Sequence, residues 1–229
     1  MDWPDKERRK SLADACLRYQ EQLGEAGETY LRGRALNPLE AAPTFRIGRV
    51  ADPVRPEDRQ YTGRLVIPVL KAGQPVQLLF RCIRPECKVN QFDDEGNSLE
   101  DHGEHPKVLG PRGERRWLFN TDCLSDPSSD ELDIVEGEWD PIALTDALGL
   151  LAIGVPGAKR WKPSRTVWRR LVRDFRVVRF WKDPDEAGDE LFKQIKNDVP
   201  HLRLIETQWD VNKTLQREGA GALVEAMGL

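Results

Sequence analysis

The chain has 229 residues, of which 39% are hydrophobic and 32% charged, with a formal net charge of -4. That length and apolar content suffice for one large domain or two small subdomains with a real core, and the mildly acidic balance gives no global sign of a nucleic-acid partner. The start, Met1 to Lys10, is charged where a secretory signal would be apolar, so none is expected; the longest uncharged run, Ala147 to Ala158, falls short of the ~20 residues that span a bilayer. A soluble, cytoplasmic chain without a membrane partner is expected, and its four cysteines suit reduced thiols or metal ligands better than a disulfide framework.

Between Lys6 and Leu23 the apolar residues Leu12, Ala15, Cys16, Tyr19 and Leu23 recur at helical spacing, which predicts an opening helix. From Phe45 to Phe119 the text becomes β-like: Leu65 to Leu70 and Val76 to Phe80, separated by Ala72-Gly73-Gln74, predict a hairpin in a mostly antiparallel region. Phe92 to His105 is an acidic insert, expected to be a mobile loop that masks basic character elsewhere. Ser125 to Asp130, rich in Pro, Asp and Ser, is expected to separate subdomains 1–125 and 126–229. Strands at Leu132–Val135, Leu151–Ile153, Val177–Trp181 and Leu202–Ile205 then alternate with helices near 141–148, 164–175 and 187–197. The fold class is therefore α/β: a mixed α+β first half, then a four-stranded parallel sheet flanked by helices. Right-handed crossovers put the ends after Val135 and Trp181 on one edge of that sheet, where ligands are bound in such folds.

Those two ends carry carboxylates. Glu136-Gly137 follows the first strand, and Asp183-Pro184-Asp185-Glu186-Ala187-Gly188 follows the third. Carboxylates gathered at a strand edge are what a hard divalent cation requires. A lone Asp-x-Asp is more often a solvated turn, so Glu136 one crossover earlier carries the metal reading. A calcium loop is excluded, because its fifth and twelfth positions would be Ala187 and Gln194. Asp140 before Pro141, and Asp210 before a helix starting near Lys213, read first as helix N-caps.

From Lys159 to Arg176 eight basic residues, including Arg165, Arg169 and Arg173, face only Asp174 within the run. This is either a solvated helix face or a phosphate-contacting patch. Cys82 and Cys87, with His102 and His105 downstream, have ligand types zinc accepts, but the spacing fits no standard finger; free or buried thiols are the favoured reading and zinc the alternative. Trp117, Trp161 and Trp168 read as core residues before base-stacking ones.

Glu136 followed by Asp183-x-Asp185-x-Ala187-Gly188 is the Toprim pattern, and the chain resembles the RNA-polymerase core of DnaG-type primases, in the compact form found in phages of actinobacteria. Matches run in family order through Tyr30 to Arg34, Phe45 to Gly48, Gly63 to Pro68, Phe80-Arg81, Lys107 to Gly110, and Asp210-Val211-Asn212 before Leu215 and Glu218-Gly219. The resemblance implies DNA-templated synthesis of short RNA primers on single-stranded DNA during replication, by nucleotidyl transfer from ribonucleoside triphosphates. It implies catalysis by Glu136, Asp183 and Asp185, and Mg²⁺ or Mn²⁺ held by Glu136, Asp140, Asp183, Asp185 and Asp210. Asn212 replaces an acid found in other versions, which would weaken a site relying on it. Arg64, Arg81, Lys107, Arg115, Arg116, Lys159, Arg165, Arg169 and Arg173 are implied as nucleotide or nucleic-acid contacts. Val108 and Gly110 depart from the family's Tyr and Asn there. With no zinc ribbon before residue 30 and no helicase-binding domain after Leu229, a replicative helicase or a separate zinc-binding module is an expected partner. The alternatives are a Toprim nuclease using the same carboxylates, and a non-catalytic relative that occupies single strands or replisome surfaces.

Overall fold

The computed structural model describes residues 4–111, 117–126, 128–157, 161, 169 and 172–228. The chain divides into two compact units, Met1–Arg115 and Arg116–Leu229.

The first unit opens with α1 (Lys6–Glu21), capped by Asp5, whose carboxylate accepts from the Arg8 N–H. Its buried face, Leu12, Ala15, Cys16 and Tyr19, packs with Val66, Leu78 and Phe80 of the sheet. Gly48 makes that approach close: a Cβ there would lie 2.3 Å from the Tyr19 carbonyl carbon. The Tyr19 hydroxyl donates to buried Asp58 at 2.7 Å, and Arg55 grips the same carboxylate through Nε and Nη2, each at 2.7 Å. Two short helices, α2 (Gly24–Gly33) and α3 (Pro38–Phe45), follow where no helix was expected. The antiparallel sheet runs β1 (Gly48–Arg49), β2 (Leu65–Lys71), β3 (Gln74–Arg81) and β4 (Val108–Leu109), in that order. The expected hairpin joins β2 to β3 through Ala72 and Gly73, at φ 49° and 70°, the two left-handed positions of a turn that matches strand twist.

The insert is not a featureless loop. Phe92 and Ser98 bridge in antiparallel fashion, and the Asp93 side chain accepts from the Asn97 N–H at 2.6 Å, closing a small hairpin. Its outer ends are joined through the sheet, because pairing of β3 with β4 brings the Cys82 N–H to the Lys107 carbonyl at 2.9 Å.

The second unit is built on a parallel sheet of β5 (Glu131–Glu136), β6 (Ala152–Val155), β7 (Val177–Lys182) and β8 (Arg203–Glu206), in spatial order β6-β5-β7-β8. Their inward residues, Leu132, Ile134, Ile153, Val155, Val178 and Phe180, form one core with Leu191 and Ile195. Runs of buried aliphatic residues on adjacent strands are expected when both faces of a parallel sheet are covered. Helix α4 (Trp139–Leu148) leads from β5 to β6, and α5 (Glu186–Asp198) leads from β7 to β8. These connections depart in opposite directions, so the carboxyl ends of β5 and β7 flank a topological switch point. Two further helices, α6 (Val211–Glu218) and α7 (Ala220–Ala226), close the chain, with α6 packed on α4. The helix expected over 164–175 lies largely outside the described residues. Among the described residues, no helix is long and apolar enough to cross a membrane.

Candidate functional site

The switch point is where the expected carboxylates meet. Glu136 ends β5, and Gly137 follows at φ 74°, a left-handed turn that costs a glycine little. Glu136 is half-buried and its Oε2 is a buried oxygen with no hydrogen-bond partner. Burial, then the charge of Asp185, pushes its carboxyl above the usual range.

Asp183 follows β7 directly, and burial together with Asp210, Glu136 and Asp185 pushes its carboxyl up to about 7. Lys182, next to it, turns away to Asp189 at 2.9 Å and Glu206 at 3.4 Å and leaves that crowding unrelieved. Asp185 caps α5, its Oδ1 accepting from the Gly188 N–H at 2.8 Å. Gly188 is required here: a Cβ would stand 2.3 Å from the Asp183 carbonyl oxygen, so only glycine lets the helix start this close to the strand end. Asp185, exposed and capping, thus matches the solvated-turn reading, whereas Asp183 is partly buried.

Asp210 is an N-cap as expected, accepting from the Lys213 N–H at 2.7 Å, although its helix begins at Val211. Asp140 corrects its expected capping role. Helix α4 begins at Trp139 with Glu138 at the cap, which puts Asp140 inside the first turn. Its buried carboxylate accepts the Asn212 N–H at 2.8 Å and so ties the start of α6 to α4.

Glu136, Asp183, Asp185 and Asp210 thus share one neighbourhood, with an orphaned oxygen on Glu136 and a neutral-range carboxyl on Asp183. All-oxygen, partly buried donors of this kind are the type a divalent cation takes, and a cation would relieve their mutual repulsion, but among the described residues only Cys82, Cys87, His102 and His105 have their donor atoms gathered within 4.8 Å of one another. Asp140 has one carboxylate oxygen on a backbone N–H of α6.

The basic residues fare differently. Arg64 is buried, and its Nη1 donates to the Pro106 carbonyl at 3.0 Å. Arg81, 1% exposed, pairs with Glu100. Lys107 keeps about half its surface and lies 2.8 Å from Glu100 Oε2. Glu100, held at about 2 against burial chiefly by Arg81 and Lys107, is thus a hub, and the sequence reading missed it. The only signal was one acid close before a histidine inside a run that looked merely solvated.

In the second unit, Arg169 lies 3.8 Å from Asp198, Arg173 donates to the Asp198 carbonyl at 2.9 Å, and Arg176 pairs with Asp130 and Glu131. The run that seemed opposed only by Asp174 meets acids from distant sequence. Trp161 is a core residue donating to Asp198 at 2.9 Å. Arg115, Arg116, Lys159 and Arg165 lie outside the described residues.

Cys82, Cys87, His102 and His105, which spacing had argued apart, come together with one donor atom from each lying within 4.8 Å of the others.

No family model matches the chain. The gene 57 protein of Mycobacterium phage D29 is 36% identical over 122 residues, covering 52% of this chain and 77% of that protein. Among solved structures, the RNA polymerase domain of Mycobacterium tuberculosis primase DnaG in complex with double-stranded DNA superposes with a TM-score of 0.70 at 19% identity, over 98% of this chain and 81% of that one. The zinc binding and RNA polymerase domains of Aquifex aeolicus primase give 0.68 at 15% identity, over 98% and 62%. The primase fragment of the bacteriophage T7 primase-helicase protein gives 0.59 at 16%, over 86% and 73%. At these identities the likeness is one of fold, and the fold is that of primase RNA polymerase domains.

Proposed function

The chain belongs to the family of the gene 57 protein of Mycobacterium phage D29 and has the fold of DnaG-type primase RNA polymerase domains, and from that premise we propose that it is a DNA primase acting in replication. The observation that carries this reading is the carboxylate set Glu136, Asp183, Asp185 and Asp210 at the switch point of a sheet with that fold. In the proposed reaction the 3′-hydroxyl of a growing primer attacks the α-phosphate of a ribonucleoside triphosphate on a single-stranded DNA template. An oxygen–phosphorus bond forms, the bond to the bridging oxygen breaks, and pyrophosphate leaves.

Glu136, Asp183 and Asp185 would hold Mg²⁺ or Mn²⁺, with Asp210 at the margin and Asp140 fixing the helix that carries it. When bound, such a cation neutralises charge on the phosphates and favours ionisation of the attacking hydroxyl. Glu136 has the further property of a general base: its buried Oε2 has no competing hydrogen bond, and its raised pKa suits it to accept the hydroxyl proton. Lys107, half-exposed, is the cation best presented to a triphosphate. Arg64 and Arg81 would act from below, by fixing the backbone and the carboxylate around it. Arg169 and Arg173, exposed in the second unit, would contact the template backbone, as would Arg115, Arg116, Lys159 and Arg165. A replicative helicase or a zinc-binding module would be the protein partner.

The test is primer synthesis from labelled ribonucleotides on single-stranded DNA with Mn²⁺, comparing wild type with Asp183→Asn. Short RNA products from wild type alone support the reading. Strand degradation without nucleotide incorporation would replace it with the nuclease that uses the same carboxylates.

A further inference from the structure

The four Cys and His residues lie in the first unit and owe nothing to the carboxylate set. Cys82 follows β3, its N–H fixed on the Lys107 carbonyl at 2.9 Å. Cys87 ends a 3₁₀ turn, Pro85–Cys87, and its carbonyl accepts from the Asp101 N–H at 3.0 Å. His102 and His105 are joined by a tight turn, the His105 N–H bonding the His102 carbonyl at 3.1 Å. The backbone thus fixes all four positions without help from a ligand.

Three of the six distances among the donor atoms have the dimensions of one face of a tetrahedron, and the His102 donor lies within 4.8 Å of all three. The two Sγ atoms are 3.7 Å apart, and His105 Nε2 is 3.3 Å from Cys82 Sγ and 3.4 Å from Cys87 Sγ. An ion with metal–sulfur bonds of ~2.3 Å and metal–nitrogen bonds of ~2.0 Å has sulfur–sulfur edges of ~3.8 Å and sulfur–nitrogen edges of ~3.5 Å. The sulfurs are too far apart for a disulfide, whose bond is ~2.0 Å. Both cysteines are buried, and both are free.

The fourth corner supplies independent support. His102 presents Nε2 to Glu100 Oε1 at 2.7 Å, while its Nδ1 is buried with no hydrogen-bond partner. A carboxylate holding one ring nitrogen fixes the tautomer that leaves a lone pair on the other, the arrangement found behind metal-bound histidines. An orphaned nitrogen beside two buried thiols is costly for the protein alone and is satisfied by a cation.

We propose that Cys82, Cys87, His102 and His105 bind a structural Zn²⁺ ion inside the polymerase-like unit. Two soft thiolates and two imidazoles in tetrahedral array select zinc over the hard cations suited to the carboxylate set. All four corners come from protein, so this is a closed site with a structural role. The ion closes the segment that carries the acidic hairpin, and His102 passes its position to Glu100, which in turn holds Arg81 and Lys107. Metal loading therefore sets the basic side chains beside it.

The experiment measures zinc per chain by mass spectrometry of protein purified under reducing conditions without added chelator, and follows cobalt replacement by visible absorption. One equivalent of zinc in wild type, with the strong visible bands of tetrahedral thiolate-bound cobalt after exchange, is expected. Cys87→Ser should lose the metal. Because that variant could fail to fold, His105→Cys is made alongside it: it keeps four donors and should keep one equivalent, with a cobalt spectrum shifted toward three thiolates. Glu100→Ala should weaken zinc binding by about 10–100-fold, the usual effect of removing a histidine's carboxylate support. Wild-type protein that is folded, free of zinc and silent on cobalt addition overturns the proposal, as does His105→Cys indistinguishable from wild type in its cobalt spectrum.

Discussion

Arg179 of β7 stands opposite Asp133 of β5 in register and grips it with Nε and Nη2, each at 2.8 Å, in the interior of the parallel sheet. Trp181 Nε1 donates to the same carboxylate at 2.7 Å, and Glu131 takes the remaining Arg179 nitrogen at 2.6 Å. Asp133 lies three residues before Glu136, and Arg179 four before Asp183. The pair therefore locks the register of the two strands whose ends carry the carboxylates; a slip of one residue would move one of them by ~3.3 Å and turn its side chain to the other face. Asp133→Ala takes from the buried Arg179 guanidinium its two-point partner, leaving only Glu131, and takes from Trp181 its acceptor, so it should cost about 3 kcal/mol in chemical denaturation. Exchanging both residues for apolar ones of similar volume should restore much of that loss without restoring activity, if register is the pair's contribution to function.

Asp183→Asn keeps volume and removes charge. Nucleotide incorporation should be abolished while the metal-free protein becomes no less stable, because a crowded carboxylate has been replaced by a neutral amide. Full activity in this variant would remove the metal-dependent reading of the site.

The same crowding sets a pH dependence. Asp183 is pushed up to about 7, above the ordinary carboxylate value of about 3.9 in an unfolded chain. Its contribution to stability is thus fully present below about pH 4 and lost as pH rises through about 7. A divalent cation competes with that proton and offsets the repulsion left when it departs. The rise in Tm on adding Mn²⁺ should accordingly be larger at about pH 8 than at about pH 5.5. An equal rise at both would place the ion elsewhere.

Lys107→Ala separates synthesis from cleavage. A lysine is a mobile point charge suited to a polyphosphate, and removing it deletes no metal ligand. Incorporation should fall, with the Mn²⁺-induced Tm shift retained. If wild type degrades single-stranded DNA, makes no primers even with a zinc-module partner, and Lys107→Ala behaves identically, the nuclease reading holds.

For the basic strip, Arg169→Gln with Arg173→Gln should lower the slope of single-strand affinity against salt by about 0.7 for each phosphate no longer neutralised. An unchanged slope would leave Arg169 and Arg173 to their partnership with Asp198.

The sequence showed most plainly what depends on local pattern. Strands β5 and β7 were legible because aliphatic runs end in acids, and α1 because Leu12, Ala15, Cys16 and Tyr19 fall on one face. Helices α2 and α3 were not, since Gly24, Gly27 and Gly33, then Pro38 and Pro43, resemble loop signals. Yet Gly27 is buried with the end of the Leu23 side chain lying where its Cβ would be, and Pro38 opens its helix at a position that needs no N–H. Relations across long sequence distance were also hidden. The acids opposing Arg169 and Arg176 are Asp198, Asp130 and Glu131, Arg173 finds the Asp198 backbone carbonyl, and Cys82 meets His105 because β3 pairs with β4.

That last pairing has an engineering consequence. Cys82 and Lys107 are neighbours across the sheet, so the polypeptide leaves and returns at one point, and its exposed turn at Asp94-Glu95 lies at the tip of the excursion. Because closure entropy grows only logarithmically, doubling the length of such an excursion costs about 0.6 kcal/mol. The tip is therefore the natural port for a fluorophore, an affinity tag or an entire grafted module, inserted without disturbing the strands that anchor it.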